Sequence, residues 1–371
     1  MPSEAAGGAC VSDLTERELI ARIQTFLPAP PTWLAVGIGD DAAVVEPERN
    51  RLEVLTVDTL VEGVHFDRAF VPAEAIGHRA LAVNLSDLAA MGAAPRLALL
   101  AMALPPSLPL PQFDAIVSGF AALAAQHRLH LAGGNLTKSP GPLVIDVTVA
   151  GTAKRRQVLT RSGAKPGDAV YVSGTLGGAR AGLLLLKSAT TEDTDTNGGH
   201  GSLEGKPWPR FVSVSTVVAQ YLRPDPRVRL GILLGRNRAA SACIDLSDGL
   251  ADGVHRIADA SGVGIAVDAD AVPIADEARA VFEGRGSDVL HEALAGGDDY
   301  ELLFTVKRRR QRSVLAAARH SGVPLTRIGV CTDGRAVVIR RAGIEMPLPL
   351  AGYDHFGARV LEHGRMAGVQ D

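Results

Sequence analysis

"VGIGDDAAVV", residues 36–45, has two readings, and the choice between them decides the fold. Gly37, Gly39 and Ala42 satisfy the G-x-G-x-x-G/A dinucleotide fingerprint, and Asp58 stands near the spacing of a ribose-binding acid. That fingerprint works because bare backbone N–H groups at a helix N-terminus meet a pyrophosphate. Here Asp40 and Asp41 occupy the middle of the motif, and two carboxylates repel such a ligand unless cations intervene. The following "AAVVEPERN", residues 42–50, reads as a short strand and turn, not as the helix the motif requires. The stretch is therefore read as a place where carboxylates gather, and a dinucleotide-dependent oxidoreductase is set aside.

Outward from this stretch the chain alternates helix and strand with polar motifs at the joints, the pattern of an α/β protein. "TERELIARIQTFL" (15–27) predicts a helix with Thr15 and Glu18 in capping-box spacing. "RLEVLTVDTL" (51–60) predicts a strand that reaches Asp58, and "PAEAIGHRALAVNLSDLAAMG" (72–92) an Ala-rich helix closing on Gly92. Further strands are expected in "RLALLAMAL" (96–104) and "PLVIDVTVAGT" (142–152), with a helix over "PQFDAIVSGFAALAAQHR" (111–128) between them. A polar, turn-rich stretch at 151–168 precedes the strand "AVYVSG" and marks a boundary between domains 1–152 and 153–371. Residues 188–209, rich in Gly, Thr and acids without periodicity, read as a disordered surface insertion. Its Gly205-Lys206 lacks the leading glycine and following Ser/Thr of a phosphate loop.

The 371 residues suffice for two domains, each with its own core. Lys plus Arg total 38 and Asp plus Glu 41, a balance that gives no nucleic-acid footprint and no polybasic membrane anchor. Three cysteines, Cys10, Cys243 and Cys331, form no C-x-x-C pair or zinc spacing, as expected of a cytoplasmic protein without structural disulfides. No apolar run approaches a membrane span, and "MPSEAAGGAC" has no signal-peptide pattern. "NLSDLAAMG" at 84 is similar to "DLSDGLADG" at 245, and "GGNLTKS" at 133 begins like "GGDDYEL" at 296, which suggests an internal duplication.

Asp40, Asp41, Asp58, Asp87, Asp245, Asp248, Asp298 and Asp299 recur beside small residues in "GIGDD", "VDT", "NLSD", "DLSDG" and "GGDD". One Asp beside Gly is usually a turn or cap residue. As a set they fit Mg²⁺, which binds through one or two carboxylates plus substrate phosphates, the arrangement phosphoryl transfer uses. Ser86 and Ser247 can cap helices or donate to phosphate, Gly133 and Gly134 let a backbone approach a nucleotide, and Arg161 can hold phosphate. His65 follows the Asp58 motif closely, although a hydrogen-bonded structural role is the usual one for such a histidine.

"GIGDDAAVV", "TVDTLVEGVHF", "HRALAVNLSDLAAMGAAP", "LTRSGAKPGD", "IDLSDGL", "GGDDYELLFTV" and "GYDHFG" together resemble the thiamine-monophosphate kinase family, in order and across nearly the whole chain. The resemblance implies a two-domain aminoimidazole ribonucleotide synthetase-like fold of α/β (α+β) class, whose N-terminal α/β domain binds ATP and Mg²⁺ and forms a homodimer. It also implies direct transfer of the ATP γ-phosphoryl group to thiamine monophosphate with several Mg²⁺ ions. By matched position, Asp40, Asp58, Asp87, Asp245 and Asp248 bind metal, while Thr56, Gly134, Asn135, Arg161 and Ser247 lie on the nucleotide side. His65, Asp298 and Tyr353 lie on the thiamine phosphate side. No general base is assigned, because the attacking phosphate is already ionised near neutral pH.

The chain departs from the family pattern twice: Asn135 stands where GGD is usual, and Asp298 where GGED is usual. Retained activity with weaker Mg²⁺ or ATP binding is expected from the first. The alternatives are another ATP-using enzyme of the superfamily and a non-catalytic nucleotide-binding sensor. The density of acids argues against the sensor, because carboxylates clustered without cations repel one another.

Overall fold

The computed structural model of the chain describes residues 8–195, 216–350 and 352. Its first half runs α1 (Glu16–Gln24), β1 (Leu34–Val36), β2 (Val44–Val45), β3 (Leu52–Val61), α2 (Ala73–Ala90), β4 (Ala94–Leu104), α3 (Leu110–Gln126), β5 (His130–Lys138) and β6 (Val144–Ala153). The capping box at α1 forms as expected: Glu18 N–H donates to Thr15 Oγ1 at 3.3 Å and Thr15 N–H to Glu18 Oε2 at 2.7 Å. β1 and β2 pair across the opening "GIGDD" turn, so no helix follows it and the dinucleotide motif has no phosphate-binding end.

The strands of this half form a four-stranded sheet in the order β3-β6-β4-β5, antiparallel except for β4 and β5, which α3 connects in parallel. α2 and α3 cross closely because glycines face each backbone. A Cβ on Gly77 would lie 1.8 Å from the Ile116 carbonyl oxygen, and one on Gly119 1.9 Å from that of Glu74. The helices bury Leu100, Ile145, Val147 and Val149 beneath them. The other face of the sheet is open and partly apolar: Leu55 is 70% exposed, Val57 57% and Leu99 39%.

The second half runs β7 (Ala169–Ser173), α4 (Gly178–Asp195), α5 (Thr216–Leu222), α6 (Val228–Arg236), β8 (Ala242–Asp245), α7 (Leu250–Ser261) and β9 (Gly264–Asp268). It continues with α8 (Asp276–Gly284), α9 (Val289–Ala295), β10 (Leu302–Val306), α10 (Gln311–Ser321), β11 (Leu325–Thr332), β12 (Val337–Arg341) and β13 (Ile344–Pro347). Seven strands form one sheet in the order β13-β12-β9-β11-β7-β10-β8, which leaves β8 on an edge. α2 of the first half packs on β8 and α6 of the second. A Cβ on Gly231 of α6 would lie 1.9 Å from the Ala89 carbonyl oxygen, so this contact too depends on a missing side chain. Leu85 and Leu88 join Leu230, Leu234 and Phe304 in one apolar cluster that crosses the seam.

Two expectations need correction. Residues 188–195 are not an irregular insertion: they continue α4, while 196–209 lie outside the described residues. The segments suggestive of duplication fold differently, since 84–87 lie within α2 but 245–248 leave the end of β8. Likewise 133–138 belong to β5, whereas 296–301 form an irregular segment with left-handed backbone at Asp298 (φ 67°) and Tyr300 (φ 50°).

Candidate active site

The seam gathers the acids. Thr56 and Asp58, two residues apart on β3, present side chains to the same face, the one α2 covers. Thr56 Oγ1 donates to Asp87 Oδ2 on the last turns of α2. The preceding residue, Ser86, donates from Oγ to Asp245 Oδ2 at 2.8 Å, so its hydroxyl ties the halves together and does not cap a helix. Asp245 ends β8 and is buried, and Ser247 and Asp248 follow in the turn to α7.

Burial and mutual repulsion leave these acids reluctant to ionise. Asp58 is pushed up to about 6, mainly by burial and then by the fields of Asp87, Asp146 and Asp248. Burial raises Asp87 as well, against the Thr56 hydrogen bond and the nearby Arg161 guanidinium. Asp245 is raised by burial and by Asp87, against the Ser86 hydrogen bond. Asp299 rises to about 7 through burial, although the Gly177 and Ala179 N–H groups donate to it at 2.8 and 3.3 Å. Its carboxylate thus caps the start of α4.

These shifts fix the direction of the pH dependence. Asp58 and Asp299 hold protons in the fold at pH values where unfolded carboxylates, near 3.8, have lost them. The folded state therefore binds more protons, and stability falls as pH rises from about 4 towards 7. In EDTA, the melting temperature should be higher at about pH 5 than at about pH 8; a rise over that interval would contradict the assignment.

The other expected site residues divide. Asp248 lies 3.5 Å from Arg256 and adds to the field on Asp58. The Ser247 carbonyl accepts from Asp298 N–H at 2.8 Å, so the two candidate motifs are joined through backbone. Asp40 is exposed in the β1–β2 turn and accepts from Asp41 N–H at 2.8 Å. Among the described residues no hydrogen bond or ion pair joins it to Asp58, Asp87, Asp245 or Asp248. His65 Nδ1 accepts from Val61 N–H at 3.0 Å, a bond that fixes the turn after β3. Tyr353 lies outside the described residues.

Gly134 is explained by packing: a Cβ there would lie 1.8 Å from the Leu100 carbonyl oxygen of β4. Gly134→Ala should destabilise the fold by about 3 kcal/mol, read from denaturant unfolding, whatever its effect on nucleotide binding. The cross-strand row Gly134–Leu100–Val147–Asp58 places Gly134 on the helix-covered face. Asn135 belongs to the next row, with Ala101, Asp146 and Thr59, on the opposite face. Asp146, which the sequence did not single out, accepts from Thr59 Oγ1 at 2.5 Å.

Sequence reasoning also missed Arg79. This α2 guanidinium is only 1% exposed, lies 4.4 Å from the Tyr221 ring centroid and 3.2 Å from Asp298 Oδ1. Tyr300 O–H donates to the same Asp298 oxygen at 2.9 Å. A buried cation from the first half therefore holds a candidate substrate residue of the second in its left-handed conformation.

The donor set fits a hard divalent cation. It consists of carboxylate oxygens, partly buried and only partly balanced by Arg161 and Arg256. Among the described residues no three His, Cys, Asp or Glu side chains converge as a closed cage does. That spread suits Mg²⁺, which keeps waters and takes substrate phosphate oxygens, better than a site built wholly from protein.

Comparison with known proteins gives the arrangement a relationship. Residues 39–153 match the family model described as AIR synthase related protein, N-terminal domain, and residues 165–341 that of the C-terminal domain. Thiamine-monophosphate kinase from Salmonella typhimurium is 39% identical over 92% of this chain and 98% of its own. The Bacillus subtilis enzyme of that name is 34% identical over 86% and 93%. The crystal structure of thiamine-monophosphate kinase from Stenotrophomonas maltophilia superposes with a TM-score of 0.75 at 40% identity, covering 88% of this chain and 96% of that one. AaThiL, solved in complex with AMPPCP and TMP, superposes at 0.69 with 31% identity over 95% and 100%. HypE in complex with ATP, 19% identical with a TM-score of 0.69, shares the fold alone. With matches of this extent in both halves, the chain belongs to the thiamine-monophosphate kinase family of AIR synthase related proteins.

Proposed function

We propose that the protein transfers the γ-phosphoryl group of ATP to the phosphate of thiamine monophosphate, forming thiamine diphosphate and ADP. The observation that carries this is the gathering of Asp58, Asp87, Asp245 and Asp248 from both halves at one seam, where burial and mutual repulsion raise Asp58 and Asp245. An oxygen of the acceptor phosphate forms the new bond to Pγ as the bond from Pγ to the β,γ-bridging oxygen breaks, and ADP leaves with that electron pair. Mg²⁺, when bound, neutralises charge on the transferring group. The chain's own part is positioning. Asp58, Asp87, Asp245 and Asp248 hold the cations, with Asp40 brought in from its turn. Thr56 orients Asp87, and Ser86 orients Asp245. Arg161, Ser247 and Gly134 lie on the nucleotide side and His65 and Asp298 on the thiamine phosphate side, while Asn135, whose row faces the open side of the sheet, is left out of the nucleotide set.

A coupled assay with ATP and Mg²⁺ tests the reading, offering thiamine monophosphate, free thiamine or an aminoimidazole precursor separately. Thiamine diphosphate should appear from the monophosphate alone. ATP binding without product would favour the nucleotide sensor, and turnover only with another acceptor a different superfamily enzyme. Added Mg²⁺ should raise the melting temperature more at about pH 8, where the acids are ionised, than at about pH 5.

We place the domain boundary at 152/153, with ATP binding and dimerisation in the first domain, and assign the protein to the cytoplasm. The buried free thiols Cys243 and Cys331 suit a reducing compartment. The homodimer reading is supported by the open sheet face with Leu55, Val57 and Leu99, which a second copy would cover. Leu55→Asp should yield a monomer in sedimentation velocity; an unchanged sedimentation coefficient would move the interface elsewhere.

A further inference from the structure

A second cleft, of about 870 Å³, opens at the seam on the far side of α2 from the acids. α6 packs on Ala89, which lies about 200° around the helix from Asp87. Beyond α6, the start of β4 gives Ala94 and Pro95, and α6 gives Ile232 and Leu233, as an apolar floor. Arg128 follows α3, Arg229 and Arg236 project from α6, and His320 ends the ring from α10. Arg236 and His320 also line an adjoining hollow of about 450 Å³, to which Arg312 contributes.

The charge here is one-sided. No Asp or Glu lines either hollow. Among the described residues Arg128, Arg229, Arg236 and Arg312 form no ion pair, although Arg223 and Arg227 nearby do. The whole chain carries a net charge of −3, so the concentration is local. Two further observations point to a ligand. His127 lines the cleft with its Nε2 buried and without a hydrogen-bond partner. Arg128 stands just past the end of α3 with φ 54°, a left-handed position that glycine or asparagine usually takes.

We propose that this cleft binds an organic phosphate, with phosphate oxygens on Arg128, Arg229 and Arg236 and an uncharged ring or chain laid on Ile232 and Leu233. Its volume is that of a small-molecule site, and its place between two domains is a common one for such sites. Guanidinium groups match phosphate bidentately, and the apolar floor distinguishes an organic ester from inorganic phosphate. A cationic ring such as thiazolium is excluded by the arginines. Because both halves line the cleft, the ligand binds only when they are docked and so stabilises the seam.

The test is titration calorimetry on the purified chain in EDTA, where no divalent ion can bridge an anion to the acids, with ADP and inorganic pyrophosphate as probes. ADP should bind more tightly than pyrophosphate, and Arg128→Ala/Arg236→Ala should lose at least about tenfold in ADP affinity while kcat and KM for ATP stay unchanged. Arg17→Ala/Arg335→Ala, which removes two exposed arginines elsewhere, should bind ADP as the parent does. Arg229→Glu gives the same readout should the double variant not fold. Unchanged ADP affinity in the cleft variants, equal loss in the control, or no binding of either probe overturns the proposal. Pyrophosphate binding as tightly as ADP overturns its organic part.

Discussion

Asp58→Asn should lower thiamine monophosphate phosphorylation by at least about 100-fold, the order seen when one preorganised charge-stabilising group is removed. The same change should raise the melting temperature of the metal-free chain. In the fold Asp58 is half-buried beside Asp87, Asp146 and Asp248, so an uncharged amide of nearly the same shape relieves repulsion. What the amide loses is charge towards a cation. The diagnostic result is opposite movement: activity falls, apo stability rises, and the stabilisation by Mg²⁺ shrinks. A variant that melts lower in EDTA and keeps its turnover would remove Asp58 from the metal-binding set.

The second large effect concerns stability. Arg79→Met keeps much of the side-chain volume but strands the partners of the guanidinium: the Asp298 carboxylate, the Tyr221 ring and the Tyr221 carbonyl. Breaking a buried pair from one side costs about 3–5 kcal/mol. Because Asp298 keeps 33% of its side-chain surface in water, about 3 kcal/mol is expected in denaturant unfolding. Adding Asp298→Asn should restore part of that loss, since no unpaired charge then remains. If Asp298 contacts the substrate phosphate, Arg79→Lys should fold yet raise KM for thiamine monophosphate more than for ATP. Equal effects on both would confine Arg79 to a structural role.

Where local chemistry decides the structure, residues alone were informative. The Thr15–Glu18 box forms, and the Ala-rich run carrying Asp87 is a helix. Two carboxylates in the opening stretch sufficed to reject the dinucleotide motif, because charge repulsion needs no tertiary information. What failed depended on distant partners. Arg79 stands among alanines and leucines with nothing nearby to announce that its counter-ion lies in the other half. The face on which Asn135 falls is set by pairing with β4, whose register shifts between Ala98 and Leu99. Residues 188–195 have no helical periodicity of their own, but they extend a helix that packs on α5 and α8. Gly134 was noticed for its freedom to let a backbone approach, and the backbone that crowds it in the fold is that of strand β4.

The side-chain bonds across the seam bear on how such a protein can exchange parts with its relatives. A chimera joined at 152/153 makes a clean cut through the chain, yet it separates Ser86 from Asp245 and Arg79 from Asp298. Compatibility between donor and recipient therefore depends on side chains matched across the seam, Ser86 with Asp245 and Arg79 with Asp298 among them, more than on overall identity. Recombinants that inherit mismatched members of either pair should be purged even when each half is taken from a working enzyme, and the α2 helix travels through evolution with the loop it holds.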